Sequence, residues 1–504
     1  MQRQASRQCL SSVPIPPELS AIVRTRPLIS AALLLVCELT PRSAYAHGNL
    51  KRSEPAAGAA LAQLPRLLRL DFTEAPELAF TRVTLIGPGR DTIPLSGVRF
   101  STESKRSIVA DVQGTSQAGS YTVIWQMAGT DGHVLRGRFT FSVQSSAMGG
   151  AVADSAALPR GEAAGRLPAP GQDSLGAAHH GVALDPDERS FDASSRLYVA
   201  IRWAQFMGLV IVFGAIAFVT FVLGALKRMA RPRAYTIAWT RTRVARGAQA
   251  AAALVGLSAL LRLWAQSAAM HGDQALDPSL IGTMLGQTVW GWGWIVQLAG
   301  VIVACVGFTL ARLDRPQGWR IAMVGAVILA FTPALSGHAI STPTLPTLAV
   351  LNDALHIAAA GGWLGSLFFV VTSGIPEALR LEESARGHAV ADLINAFSPT
   401  ALVFAGITVL SGVVSAWLHL GTLPALWQSQ YGQRLLIKLA VLSVVAGTGA
   451  YNWLRVRPRL GTERGAARVR RSATVELAVG ALVLLVTAVL VATPTATDMA
   501  AMNP

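Results

Sequence analysis

The chain has 504 residues, of which 52% are hydrophobic and 14% charged, and its 43 Lys+Arg against 28 Asp+Glu give a formal net charge of +15. Soluble domains usually carry about 25% charge, so the composition does not fit an ordinary cytosolic enzyme, and the apolar content excludes wholesale disorder. Three cysteines, Cys9, Cys37 and Cys305, cannot build a disulfide framework.

Residues 1–27 carry Arg3, Arg7, Arg24 and Arg26 and no long apolar run. Leu28–Cys37 is apolar but too short to cross a bilayer, and Ala44-Tyr45-Ala46 supplies a small-x-small cleavage site. Basic, apolar and small-residue regions in this order predict a signal peptide over 1–46. Cleavage after Ala46 makes His47 the mature N-terminus and removes Cys9 and Cys37.

Over 47–143 the period changes to two. Tyr121, Val123, Trp125 and Met127 alternate with Thr122, Ile124 and Gln126, and Leu135, Gly137, Phe139, Phe141 and Val143 with Arg136, Arg138, Thr140 and Ser142. Shorter runs at Leu67–Phe72, Arg82–Ile86 and Ser107–Val112 stand between Gly/Pro turns. Half-buried strands at this spacing predict an all-β sandwich. Residues 144–195, rich in Ala, Gly, Pro, Ser and Asp, read as a flexible linker.

From Tyr198 on, eight apolar stretches fall near 198–226, 245–268, 289–312, 320–336, 350–373, 395–418, 434–453 and 472–493. A span needs about 20 apolar residues. The loops test the count: 227–246 and the connection 455–471 are dense in arginine, whereas 269–289, 339–349, 419–432 and 494–504 have no Lys or Arg. This alternation is what the positive-inside rule requires of eight helices. It predicts an eight-helix membrane domain over 196–494 in a bacterial inner membrane, with the sandwich and the short tail 495–504 in the periplasm. The +15 is then mostly topological, and no nucleic-acid motif accompanies it.

His47 as a mature terminus offers an α-amine and an imidazole on one residue, a chelate that suits the tetragonal N/O surroundings favoured by Cu(II). Asp131-Gly132-His133 opens the last long strand, and residues i and i+2 project to one face. Carboxylate and imidazole there can complete such a site, where the plain alternative is a turn followed by a surface histidine.

His47-Gly48, Ser53-Glu54-Pro55, the Trp125 strand and Asp131-Gly132-His133 resemble the CopC family of periplasmic copper-binding proteins. That resemblance implies a cupredoxin-like or Ig-like sandwich that binds Cu(II) through His47, Asp131 and His133. Some members add a Met-rich Cu(I) site, for which only Met127 and Met148 are present here. The membrane half resembles the CopD family, in Ser336-Gly337-His338, Asn352-Asp353-Ala354-Leu355-His356, Gly362-Trp363-Leu364-Gly365, Tyr431-Gly432, Lys438 and Asn452. The resemblance implies copper handling at the inner membrane.

Ionisable groups inside a membrane usually face a bundle interior or a path. Asp353 and His356 share a helix face, and His338 and the pair Met270–His271 fall near the same membrane surface by topology. Together they form a candidate membrane copper pathway, with Asp353 also able to orient His356; the alternative is that the histidines merely satisfy helix ends. Arg202, Arg262 and Lys438 are expected to snorkel, Cys305 to pack as a small core residue, and Glu476 to be a weaker pathway candidate. His179-His180 in the linker reads as incidental.

The expected function is periplasmic Cu(II) binding with copper import and handling across the inner membrane, by a non-enzymatic protein. Its partners are copper ions, the bilayer and periplasmic copper chaperones. Two other readings stay open: a haem-containing cupric reductase with paired histidines as axial ligands, and a copper chaperone for respiratory oxidase assembly.

Overall fold

The computed structural model describes residues 50–73, 75–129, 134–144, 195–228, 237–335, 345–456, 463–493 and 495. The predicted signal peptide, linker and most of the tail lie outside the described residues, as do His47, Asp131, His133, His338, Met148 and His179-His180.

The N-terminal part is a two-sheet sandwich. One sheet has the order β1-β3-β7-β6 and the other β2-β9-β8-β4-β5. These strands are β1 Leu50–Glu54, β2 Ala60–Leu61, β3 Leu67–Phe72, β4 Arg82–Ile86, β5 Thr92–Ile93, β6 Arg99–Phe100, β7 Ser107–Asp111, β8 Gly119–Ala128 and β9 Val134–Val143. All pairings are antiparallel except β2 with β9. The alternation fixes the core: Leu68, Leu70 and Phe72 from one sheet meet Tyr121, Val123, Trp125, Met127, Phe139 and Phe141 from the other. The Phe72 and Trp125 rings meet edge-on at 5.3 Å, and Tyr121 stacks on Phe141 at 5.3 Å. Gly137 faces Trp125 in the β8–β9 register, and a Cβ there would lie 2.7 Å from the indole Cε2. Met127 is fully buried in this core, which makes it packing and not a thioether ligand.

Among the described residues, eight helices of the membrane half are long and apolar enough to cross a bilayer. In chain order they are α1 Arg196–Arg228, α2 Ile237–His271, α4 Val289–Arg312, α5 Gly318–Leu335, α6 Pro346–Ala378, α7 Glu383–Leu420, α8 Gln430–Arg455 and α9 Glu463–Val491. A ninth, α3 Pro278–Gln287, is too short to span and lies in the connection between α2 and α4. Sequence explains its start: Asp277 accepts from Ser279 N, and Pro278 occupies the first turn. Thr288 and Ser429 cap α4 and α8 through the amides of Gly291 and Gly432.

Helix α1 packs against α2, α6 and α9. Among the described residues four stretches are π-helical: Phe218–Val222, Gly361–Gly365, Val370–Gly374 and Asn452–Val456. Such turns recur at functional sites because they break the regular hydrogen-bond ladder.

The structure corrects the snorkelling expectation for two arginines. Arg202 and Arg262 are only 2% and 3% exposed. Arg202 Nε donates to Tyr198 Oη at 3.0 Å, and the Arg262 guanidinium lies 5.3 Å from the Trp290 ring centroid. Neighbouring aromatics hold both inside the bundle, where hydropathy alone suggested a reach toward water. Cys305 is half-buried beside the bundle core, as expected of a small packing residue.

Candidate metal-transfer site

The sandwich meets the membrane half through the outward face of β8 and β9. Gln126 and Arg136 are cross-strand partners, and Arg136 Nε donates to Gln126 Oε1 at 2.9 Å. The pair then reaches the end of α2: Arg136 Nη2 donates to Ala269 O at 2.7 Å and Gln126 Nε2 to Met270 O at 3.4 Å. These carbonyls belong to the last turn of α2, which has no intrahelical donors left for them. A cation there also complements the helix dipole.

The start of α4 is met with the opposite charge. Glu77 Oε1 accepts from Val289 N, the first amide of that helix, at 3.1 Å. The backbone of Glu77 is itself fixed by its amide donating to Ala128 O at 2.8 Å. The sandwich thus caps one helix C-terminus with a guanidinium and a neighbouring N-terminus with a carboxylate.

Apolar contacts close the joint. Phe80, Ala128 and Val134 of the sandwich cluster with Met270, Met284, Trp290 and Trp294. Ala128 and Met284 have no exposed surface and Met270 is 4% exposed. Burying one side chain the size of Phe80 is worth about 2 kcal/mol. The hairpin tip carrying Asp131 and His133 lies outside the described residues, but Ala128 and Val134 flank it on either strand.

Burial pushes the Glu77 carboxyl above the usual carboxylate range, and the Val289 N–H bond offsets part of this. A carboxyl raised in the docked state favours docking below its ordinary range, and that contribution is lost as pH rises through the raised value. Docking should therefore loosen from mildly acidic toward neutral pH. Glu77→Gln keeps an acceptor for Val289 and should abolish this dependence. Hydrogen-exchange protection of the Ala269–Gly272 segment against pH checks it; an unchanged pH slope in the variant would rule Glu77 out.

Three histidines in the membrane half share a hydrogen-bond arrangement. The Ser411 hydroxyl donates to Ile407 O at 2.7 Å, so His356 Nδ1, 2.9 Å from Ser411 Oγ, must be the donor in that contact. His419 Nδ1 lies 2.7 Å from Ser415 O and donates to it. The Ser267 hydroxyl donates to Ala275 O at 2.6 Å, which makes His271 Nδ1, at 3.3 Å, the donor there. A neutral imidazole protonated at Nδ1 keeps its Nε2 lone pair, the form that ligates metals.

His356 and Asp353 of α6 belong to a polar seam against α7. Asn352 Nδ2 donates to Ser411 O at 3.0 Å and Ser415 Oγ at 2.8 Å, and the Asp353 carboxylate bonds Ser415. His356 is therefore oriented by Ser411, and Asp353 is engaged elsewhere. His419 and Lys438 are the charged or titratable neighbours of Asp353.

Among the described residues, the structure does not bring Met270–His271 together with Asp353 and His356. Met270–His271 sit under the sandwich where α2 meets α4, while Asp353 and His356 face α7, because α2 packs on α1 and α4 and α6 packs on α5, α1 and α7. Among the described residues no three His, Cys, Asp or Glu side chains come together as a ready cation site. Sequence reasoning missed His419, whose only signal is Ser415 four residues earlier. It also missed Glu77, Gln126, Arg136 and Met284, which carry no motif.

Comparisons with known proteins agree with this division. The CopC domain family matches residues 50–144, the "Copper resistance protein D-like, N-terminal domain" family 191–347, and the "Copper resistance protein D" family 391–490. "Copper transport protein CutJ" of Bacillus subtilis is 24% identical over 469 residues, 92% of this chain and 77% of that one. "Copper resistance protein C" of Escherichia coli is 30% identical over 108 residues, 20% of this chain and 85% of that one. "Copper resistance protein D" of Pseudomonas syringae pv. tomato is 28% identical over 305 residues, 57% of this chain and 93% of that one. The three matches lie side by side on one polypeptide, and the chain belongs to these families as a CopC–CopD fusion of the copper resistance proteins.

Proposed function

We propose that this protein binds Cu(II) on its sandwich through His47, Asp131 and His133 and delivers copper into the membrane half for import. The observation that carries the reading is the seating of the β8–β9 hairpin. Its flanks, Ala128 with Gln126 and Val134 with Arg136, rest on the α2 end that carries Met270 and His271. A metal released at the hairpin would meet the His271 imidazole next, while the Met270 thioether is packed in the joint as Met127 is in the sandwich. His356 of α6 and His419 of α7 are the further imidazole donors within the bundle.

The first test is at the N-terminus. His47→Ala, or one extra residue ahead of His47, should weaken Cu(II) binding by the full-length protein at least ~10-fold, about 1.4 kcal/mol. Equal affinity in both variants would sink the amine–imidazole chelate. His356→Ala should leave that affinity unchanged while lowering copper accumulation in cells, and unchanged accumulation would remove His356 from the path. A Soret band stoichiometric with the purified protein would instead assign the histidines to haem.

A further inference from the structure

The last buried carboxylate among the described residues of the membrane half belongs to α9. Glu476 of α9 is 6% exposed. It stands five residues beyond Arg471, about 7.5 Å along the helix, and so inside the span from the arginine-rich end. Asn452 Nδ2 donates to Glu476 Oε2 at 3.2 Å, and the Trp363 indole N–H donates to the same carboxyl group. Asn452 is held in turn by the Ser472 hydroxyl, which donates to its Oδ1.

Both donors come from π-helical turns: Trp363 is the middle of Gly361–Gly365 and Asn452 opens Asn452–Val456. Two irregular turns on different helices thus converge on one intramembrane carboxylate. Both donors are neutral, and among the described residues Glu476 has no ion-pair partner. Arg470 and Arg471 on its own helix and Tyr451 and Arg455 on α8 do not contact it. Nor do Lys227 of α1, Glu377 of α6 or His388 and Asp392 of α7, the titratable groups on the other helices packed around this half of α9. A buried carboxylate without a cation is costly when charged, and a lone carboxyl group is a poor metal cage. Its natural cargo is a proton, and intramembrane Glu residues of this kind form proton relays.

We propose that Glu476 is a proton-binding site of the membrane half, exchanging its proton against the copper cation that moves through the bundle. The step is a simple one. A proton from the aqueous face forms an O–H bond on the carboxylate, and it leaves as H⁺ when a cation enters, with no redox change. The exchange partner rests on the copper-delivery reading; the protonation itself does not. The helices provide the link. Trp363 lies two turns beyond His356 on α6, and Asn452 lies 14 residues beyond Lys438 on α8, in each case on one helix face. Both donors to Glu476 are therefore fixed to helices that also line the seam around Asp353 and His356.

Infrared difference spectra of the full-length protein, taken between mildly acidic and mildly alkaline buffer, test the site without any metal. A deuterium-sensitive carboxylic-acid band should appear and be absent from Glu476→Gln, whose amide keeps the acceptor for Asn452 and Trp363. Asn452→Leu, which removes one donor, should shift the band and not abolish it. The same band in wild type and Glu476→Gln, or no titrating band at all, would overturn the proton site. In liposomes enclosing a pH dye, Cu(I) kept reduced by ascorbate should drive proton movement that Glu476→Gln loses. Copper entry with undiminished proton movement in the variant, or with none in wild type, would overturn the exchange. If copper fails to enter even with wild type, the delivery reading fails and the infrared result still decides Glu476.

Discussion

Gly365→Ala is expected to cost the membrane half at least ~3 kcal/mol, the upper end of ordinary overpacking penalties. Gly214 of α1 and Gly365 of α6 face each other backbone to backbone. A Cβ on Gly365 would lie 2.8 Å from Gly214 Cα and run into Val210 O, and a Cβ on Gly214 would strike the Gly365 peptide. A flexible side chain can rotate away from such a contact; a helix backbone cannot. The helices would have to separate, and small residues at membrane-helix contacts exist because they allow this approach. Gly406→Ala is the control, since a Cβ there meets nothing within 4 Å, and helix propensity predicts a gain of up to ~1 kcal/mol. Thermal unfolding of the detergent-solubilised protein should separate the two variants sharply. Similar midpoints would show that α1 and α6 are less closely packed than described. Because Gly365 closes the π turn that carries Trp363, the same variant should also disturb the Glu476 carboxyl band.

The parts of this architecture that were legible in the sequence are those that water or lipid dictates residue by residue. Period two along Tyr121–Met127 and Leu135–Val143 placed the core face of β8 and β9, and hydropathy with arginine-poor loops placed all eight spans. Short strands such as β2 and β5, two residues each, leave no period to read. The joint between the halves was hidden for another reason. Gln126 and Arg136 occupy the outward positions of their strands, where a polar residue ordinarily meets solvent, and nothing local reveals that a helix end waits there. Buried Arg202 and Arg262 escaped in the same way, since their aromatic partners Tyr198 and Trp290 look like ordinary interface residues. The π turns have no sequence period at all. In the membrane seam the pair Asp353 and His356 was visible from spacing, whereas their partners Ser411, Ser415 and His419 come from α7 and needed the fold.

Arg136→Glu should release the sandwich from the bundle while leaving its own core intact. The wild-type guanidinium satisfies Ala269 O and orders Gln126 beside it; a carboxylate at that position offers no donor and faces the negative end of α2. Loss of a favourable cation at a helix C-terminus is worth up to ~2 kcal/mol, and leaving the carbonyl unsatisfied adds about 1 kcal/mol or more. The combined ~3 kcal/mol corresponds to a roughly 100-fold shift toward the undocked form. Arg136 points away from the sandwich core, so strand pairing and the Trp125 environment should persist. Hydrogen exchange should then accelerate at the α2 end and around Val289 but not in β3 or β7. Cu(II) affinity of the full-length protein should stay at its wild-type value while copper accumulation in cells falls, because the metal is still captured but no longer held over Met270 and His271. Arg136→Lys, which keeps the charge but offers one compact donor group in place of the fork, should recover part of both docking and accumulation. Undiminished accumulation in an Arg136→Glu protein with demonstrably faster exchange at α2 would mean that delivery does not pass through this joint, and the copper would have to enter the bundle without the sandwich resting on it.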